Sequence, residues 1–363
     1  MISVAAEPIK LPKKRIESIV HDPEKTAKAA DLVYVNDTEP GITRIKTGDK
    51  FRYFFKDKIV EDDEVLLRIK HLVIPPAWQN VWICRLENGH LQVTGFDVKN
   101  RKQYRYHPEW NKLRSHTKFY RLNDFGKVLP VVRLQVEKDL SLPGLPPDKV
   151  LAAVVSLMER TNIRVGNNFY EKLYGSFGLT TLKDKHVKIE GSKLKFSFKG
   201  KKGVLHDISI KSKKLSTIVK QCRDIPGKEL FQYYDENGER KSIDSGMVNE
   251  YVRKISGGDF TTKDFRTWSG TVQAFLALKS IGCCDTQAET KKRIVEVLDI
   301  VSRQLGNTRT VCKKYYVHPL ILSLYETKEI EKYIAELDEI LVDDNKADLT
   351  PEEKIVMKIL ESN

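Results

Sequence analysis

The 363-residue chain is 40% apolar and 31% charged, with 63 Lys and Arg against 50 Asp and Glu, for a formal net charge of +13. That is the composition of a globular protein with room for two cores, and no run approaches the ~18 consecutive apolar residues of a membrane-spanning helix. The charge is uneven: residues 321–363 hold 12 acidic and 5 basic side chains, so the preceding 320 residues carry a net +20. A field of that sign attracts polyanions, of which nucleic acid is the commonest.

The N-terminal MISVAAEPIKLPKKR is interrupted by proline and charge, unlike a secretory signal. Cys84, Cys222, Cys283, Cys284 and Cys312 form an odd set with no CxxC pair and no zinc-ligand spacing, and a vicinal pair rarely closes a disulfide. Reduced thiols in a cytosolic-type compartment are expected.

In chain order, residues 1–44 are polar and dotted with proline, which reads as an arm. Residues 45–140 read as a small β-rich domain. Short alternating runs at Phe51–Phe55, Val81–Arg85 and His90–Thr94 sit between turn signals such as Asn88-Gly89 and Asp97. Three prolines and a glycine in SLPGLPPDK mark residues 141–149 as a linker.

A larger domain follows over 150–363. Val150–Met158 is apolar enough for a buried helix. His186–Ile189, Leu194–Phe198 and Val204–Ile210 alternate as three strands of an antiparallel sheet, with turns at 190–193 and 199–203. Helical periodicity then dominates, over Met247–Ile255, Arg266–Ile281, Gln287–Leu305 and Pro319–Leu341, the last leading into an acidic helical tail. The expected fold class is α+β: a β-rich N-terminal domain, then a mostly helical domain around a three-stranded sheet.

Five segments carry chemistry when read together. MERTNIRVGNNFY (158–170) places Arg164 just beyond the apolar helix, and FKGKKGV (198–204) puts Lys201 near the tip of a basic hairpin. KDFRTWSGT (263–271) sets Arg266 at a helix start. LGNTRT (305–310) holds Asn307, and VCKKYYVHP (311–319) holds Tyr315 and Tyr316. Singly, each has an ordinary structural explanation: a packed arginine, a solvated turn, a packed tyrosine pair.

The order Arg, hairpin Lys, Arg, His-or-Asn, Tyr resembles the active site of type IB DNA topoisomerases of the small bacterial and large-virus kind. IPPAWQNVWIC (74–84), NGHLQVTG (88–95) and RKQYRYHP (101–108) resemble the N-terminal domain of the bacterial branch, so the likeness covers roughly residues 45–320. In that family the tyrosine lies nine positions after the His-or-Asn element and, in the bacterial branch, directly precedes Val-His-Pro, which selects Tyr316 over Tyr315. Asn307 departs from the viral histidine but keeps a hydrogen-bond donor.

The resemblance implies the chemistry. Arg164 and Arg266 clamp the non-bridging oxygens of a phosphodiester, whose charge grows as an oxygen nucleophile attacks. Asn307 adds one neutral donor. Lys201, among other cations that lower its pKa, protonates the departing 5′ oxygen. Tyr316 becomes the 3′-phosphotyrosyl partner. No GxxxxGK[ST], DxD or HExxH pattern occurs, so neither ATP nor a metal cofactor is expected.

The partner implied is double-stranded DNA, held by a monomer that closes as a clamp. Its location would be cytoplasmic, bacterial nucleoid or viral. In the N-terminal domain, Arg101, Lys102, Gln103, Tyr104, Arg105 and Tyr106 would face the major groove. There Gln103 would read a base edge, while Tyr104 and Tyr106 meet the backbone.

The nearest rival is a tyrosine site-specific recombinase, which shares the Arg-Lys-Arg-Tyr chemistry. Its second arginine normally follows a histidine by three positions, where this chain has Lys263. A non-catalytic DNA-binding protein would account for the charge alone.

Overall fold

A computed structural model describes residues 22–48, 50–98, 102–340 and 347–362. The chain divides into two compact units, Met1–Arg121 and Leu122–Asn363.

The first unit is built on a six-stranded antiparallel sheet. In chain order its elements are helix α1 (Pro23–Ala29), strands β1 (Ile42–Thr47), β2 (Lys50–Phe55) and β3 (Lys58–Ile59), helix α2 (Asp63–His71), and strands β4 (Gln79–Ile83), β5 (Leu91–Phe96) and β6 (Lys102–Tyr106). The strand order is β3-β2-β1-β4-β5-β6, so β6 is an edge strand. Ile42, Val81, Ile83 and Val93 bury one face of the sheet together with Ile69 of α2. Asp62 caps α2 by accepting from the backbone N–H groups of Glu64 and Val65, and Asp22 caps α1 in the same way.

Two expectations change here. Residues 22–44 are part of the fold rather than an arm: Ala27 and Leu32 pack with Trp110 in a small core, and β1 begins at Ile42. The β-rich region also contains α2, whose short apolar stripe was not separable from its flanking strands.

The second unit is mostly helical. Helix α3 (Pro108–Leu140) runs across the division between the units, which falls at Arg121/Leu122 and not at 141–149. Within the second unit its residues Leu122, Phe125, Leu129, Val132, Val136 and Leu140, spaced three and four apart, form the stripe that faces the core. Helix α4 (Pro147–Thr161) starts inside the proline-rich stretch, because Pro147 takes the first helical turn, where its missing N–H costs nothing. The connection between these helices is therefore a turn within one unit.

Helix α5 (Asn168–Tyr174) precedes the antiparallel sheet of β7 (Val187–Glu190), β8 (Lys193–Lys199) and β9 (Leu205–Lys211), in the order β7-β8-β9. Along β8 Leu194, Phe196 and Phe198 are buried while Lys193, Ser197 and Lys199 are exposed, the period of two expected of a half-buried strand. Helix α6 (Lys213–Arg223) buries Leu215, Ile218, Val219 and Cys222, and a small hairpin joins β10 (Gln232–Tyr234) to β11 (Arg240–Ser242).

The remaining helices are α7 (Ser245–Ser256), α8 (Thr262–Ile281), α9 (Gln287–Leu305), α10 (Arg309–Tyr315), α11 (Pro319–Glu326), α12 (Ile330–Glu339) and α13 (Pro351–Ser362). The single helix expected over Pro319–Leu341 is thus two. Lys328 takes a left-handed conformation (φ +62°), which turns the chain so that Ile330, Tyr333 and Leu337 reach the core.

The acidic C-terminal segment is integrated with the core. Glu353 of α13 is buried, and both its carboxylate oxygens accept from Arg133 at 2.8 Å. Trp268 Nε1 donates to the same carboxylate at 2.8 Å, and Arg133 also donates to Glu159 at 2.7 Å. Removing one partner of a buried ion pair strands the other. Glu353→Ala is therefore expected to destabilise the second unit by about 3–5 kcal/mol, read as a lower midpoint in denaturant. A loss under about 1 kcal/mol would show the network to be solvated.

Candidate active site

Arg164, Lys201, Arg266, Asn307 and Tyr316 all lie in the second unit, and local structure sets each one. Asn162, left-handed at φ +56°, ends α4, and the chain leaves in an extended run fixed by Leu179 N–H donating to Arg164 O at 2.9 Å. The half-buried Arg164 guanidinium turns toward the α9–α10 connection, where Nη2 donates to Gly306 O at 3.0 Å and to Asn307 Oδ1 at 2.6 Å. A guanidinium only donates, so the amide oxygen of Asn307 faces it and the NH2 group points elsewhere.

Arg266 sits on the second turn of α8. The helix begins four residues earlier than its sequence suggests, because Thr261 and Asp264 form a capping box in which Thr261 N–H donates to Asp264 Oδ2 at 2.7 Å. Arg266 is only 5% exposed. Its Nη1 donates to Asn162 O, its Nη2 donates to Leu305 O at 2.6 Å, and its Cζ lies 5.2 Å from the centre of the Tyr316 ring. Its buried Nε has no hydrogen-bond partner among the described residues.

Tyr316 closes the C-terminal end of α10 and is half-buried against the core. Thr271 Oγ1 donates to Thr267 O at 2.8 Å, lies 3.3 Å from Tyr316 O and accepts from His318 N–H at 3.1 Å. Gly270 is required for this approach, since a Cβ there would lie 2.5 Å from Tyr316 O. Tyr315, by contrast, is 41% exposed, with Lys314 Nζ 5.4 Å from its ring centre. His318 caps α11 through its Nδ1, which accepts from Leu320 N–H at 3.1 Å, and burial pushes its pKa down to about 4.

Lys201 stands on the β8–β9 turn, where Lys202 is left-handed at φ +60°. The side chain as a whole is exposed, but partial burial at the ammonium lowers its pKa. Arg164, Lys202 and Lys263 push the same way, and Tyr316 opposes them. Burial also brings Arg164 down to about 10, with Arg266 adding to the effect, and burial depresses Arg266. The acceptors of both arginines are neutral carbonyl and amide oxygens, and among the described residues neither pairs with a carboxylate. Such cations gain by binding an anion between them.

Several neighbours escaped the sequence reading: Thr271, Gly270 and His206. The last lies two residues past FKGKKGV, opposite Phe198 in the β8–β9 ladder.

The N-terminal segment Lys102–Tyr106 forms the edge strand β6. Strand β6 alternates, so Lys102, Tyr104 and Tyr106 share one face and Gln103 and Arg105 the other. Lys102 pairs with Asp37 at 2.5 Å, and the rings of Tyr104 and Tyr106 stack at 6.0 Å. Tyr106 is half-buried against the clusters around Trp110 and Leu91. Gln103 Nε2 donates to Asp97 Oδ2 at 3.0 Å. Arg101 lies outside the described residues. Among the described residues all five cysteines are free thiols, and no helix is long and apolar enough to cross a membrane.

Residues 107–341 match the family described as eukaryotic DNA topoisomerase I, catalytic core, and residues 50–97 match bacterial DNA topoisomerase IB, N-terminal domain. The chain is 35% identical over 294 residues to a DNA topoisomerase 1B of Acanthamoeba polyphaga mimivirus, covering 79% of this chain and 88% of that one. It is 26% identical over 285 residues to the DNA topoisomerase 1B of vaccinia virus (strain Copenhagen), covering 74% and 85%. The first match alone contains every one of the five residues of this site, and the chain belongs to the type IB DNA topoisomerase family, isomerases that act on DNA.

Proposed function

We propose that this chain relaxes positive and negative supercoils by cutting and resealing one strand through a 3′-phosphotyrosyl intermediate on Tyr316. The observation that carries the reading is the pair Arg164 and Arg266, held beside Tyr316 with only neutral acceptors. A phosphodiester placed there supplies the missing anion, and its charge rises in the transition state, where the guanidinium forks hold it best.

In the cleavage step the phenol of Tyr316 loses its proton to water and Oη bonds to phosphorus. The bond from phosphorus to the 5′ oxygen breaks, and Lys201 gives that oxygen its proton. Asn307 donates to a non-bridging oxygen through its NH2 group while its carbonyl holds Arg164. The free end then rotates about the uncut strand, and reversal of both proton transfers reseals it. The phosphotyrosyl bond conserves the energy of the phosphodiester, so ATP is not consumed, and the arginines supply the charge a metal would otherwise provide.

The chain acts on duplex DNA as a cytoplasmic monomer that closes as a clamp. Arg101, Lys102, Gln103, Tyr104, Arg105 and Tyr106 belong to the N-terminal DNA contact. The expected result is relaxation of plasmids of either supercoil sign in EDTA without ATP, resolved on gels. An absolute need for ATP or magnesium would sink the mechanism.

A further inference from the structure

The histidine beneath the lysine turn has a defined mechanical position. His206 lies opposite Phe198 in the β8–β9 ladder, with the two rings stacked at 4.9 Å and 18°. Phe198 in turn faces His186 at 6.4 Å, and His186 faces Phe177 at 4.3 Å, so an aromatic row supports the turn from below. The far edge of the His206 ring is wedged between two glycine backbones. A Cβ on Gly200 would lie 2.6 Å from both Cδ2 and Nε2 of His206. A Cβ on Gly306 would lie 2.9 Å from Cε1, 3.4 Å from Nε2 and 3.7 Å from Arg164 Nη1. Gly200 directly precedes Lys201, and Gly306 directly precedes Asn307 and accepts from Arg164.

We propose that His206 is a positioning residue whose imidazole holds the Lys201 turn against the Gly306–Asn307 turn, setting the lysine's reach toward the pocket of the two arginines. Both contacts need glycine because the ring fills the space a side chain would take. Burial, Arg164 and Arg266 all lower the pKa of His206, which favours a neutral ring packed beside the guanidinium groups. The inference rests on the reading of Lys201 as proton donor to the 5′ oxygen. A displacement of about 1 Å in such a group costs on the order of 100-fold in rate.

The test is single-turnover cleavage at saturating protein, on ordinary DNA and on DNA whose 5′ bridging oxygen is sulfur. A thiolate leaves without a proton. On ordinary DNA His206→Ala is expected to cleave ~100-fold more slowly than the unmodified chain, with affinity changed less than ~3-fold. On the sulfur substrate most of that loss should disappear, as it should for Lys201→Ala.

Gly200→Ala tests the contact from the other side. Gly200 has φ −91°, so alanine adds no backbone strain and only crowds the ring. Its cost should be large beside His206 and small in the His206→Ala background. Should His206→Ala fail to fold, Gly200→Ala carries the test alone, because its slow cleavage should also be rescued by sulfur. Rescue of Lys201→Ala without rescue of His206→Ala or Gly200→Ala would overturn the positioning role and leave the lysine assignment standing. No rescue of Lys201→Ala would overturn the lysine assignment itself. Strict additivity of Gly200→Ala and His206→Ala would overturn the contact.

Discussion

Tyr316→Phe is expected to abolish relaxation and the covalent protein–DNA adduct, a loss on the order of 10⁴-fold or more. DNA affinity should stay within ~2-fold, because only one hydroxyl is removed and the ring keeps its place 5.2 Å from Arg266. The adduct is read by trapping with detergent and separating on a denaturing gel. Tyr315→Phe serves as the neighbour control. Tyr315 is 41% exposed, with Lys314 over its ring, so cleavage should change by less than ~3-fold. An adduct that survives Tyr316→Phe and vanishes with Tyr315→Phe would reverse the choice of nucleophile.

Arg266→Ala should lower single-turnover cleavage at saturating protein by roughly 10²–10³-fold, the usual cost of deleting one donor to a developing oxyanion. Affinity should fall far less, because a transition-state contact contributes little to ground-state binding. Arg266→Lys should recover only part. The guanidinium reaches Asn162 O, Leu305 O and the face of Tyr316 at once, and an ammonium cannot reproduce that planar fork. Either change also strands buried carbonyls, so a thermal midpoint measured in parallel separates lost folding from lost chemistry.

Arg164→Ala should behave alike, and Asn307→Ala should cost about one order of magnitude, in keeping with a single neutral hydrogen bond. Asn307→His should be tolerated when a ring nitrogen accepts from Arg164 as the amide oxygen does. Arginine variants that lost affinity yet cleaved at the normal rate once bound would remove both residues from the chemistry.

The three-stranded sheet could be read directly from the chain, because along β7, β8 and β9 exposed residues alternate with buried or half-buried ones at a period of two. Helices α7, α8 and α9 were readable from their apolar periodicity, although the Thr261 cap that starts α8 four residues before Arg266 was not. Helix α3 was not. Gly126 and Pro130 interrupt it, and Val131 and Leu134 stand 59% and 64% exposed, which blurs the division between its faces. The break at Lys328 was equally hidden, since no glycine or proline marks it: the left-handed residue donates its N–H to Tyr325 O at 3.2 Å, and Ile330 and Leu337 pack into the core beyond it.

The order of the local motifs nominated Arg164, Lys201, Arg266, Asn307 and Tyr316 through its resemblance to type IB topoisomerases, each motif alone having an ordinary structural explanation. Their convergence is a long-range property. Arg164 meets an amide 143 positions away, and Arg266 meets a carbonyl 104 positions before it. Tertiary structure alone decided that these cations have neutral partners, that Glu353 is a buried anchor rather than part of a solvated tail, and that His206 fills the space beside two glycines. Local sequence encodes backbone preference and which face is apolar. The field at a side chain, and the space left for it, are set by atoms that other segments bring there on folding.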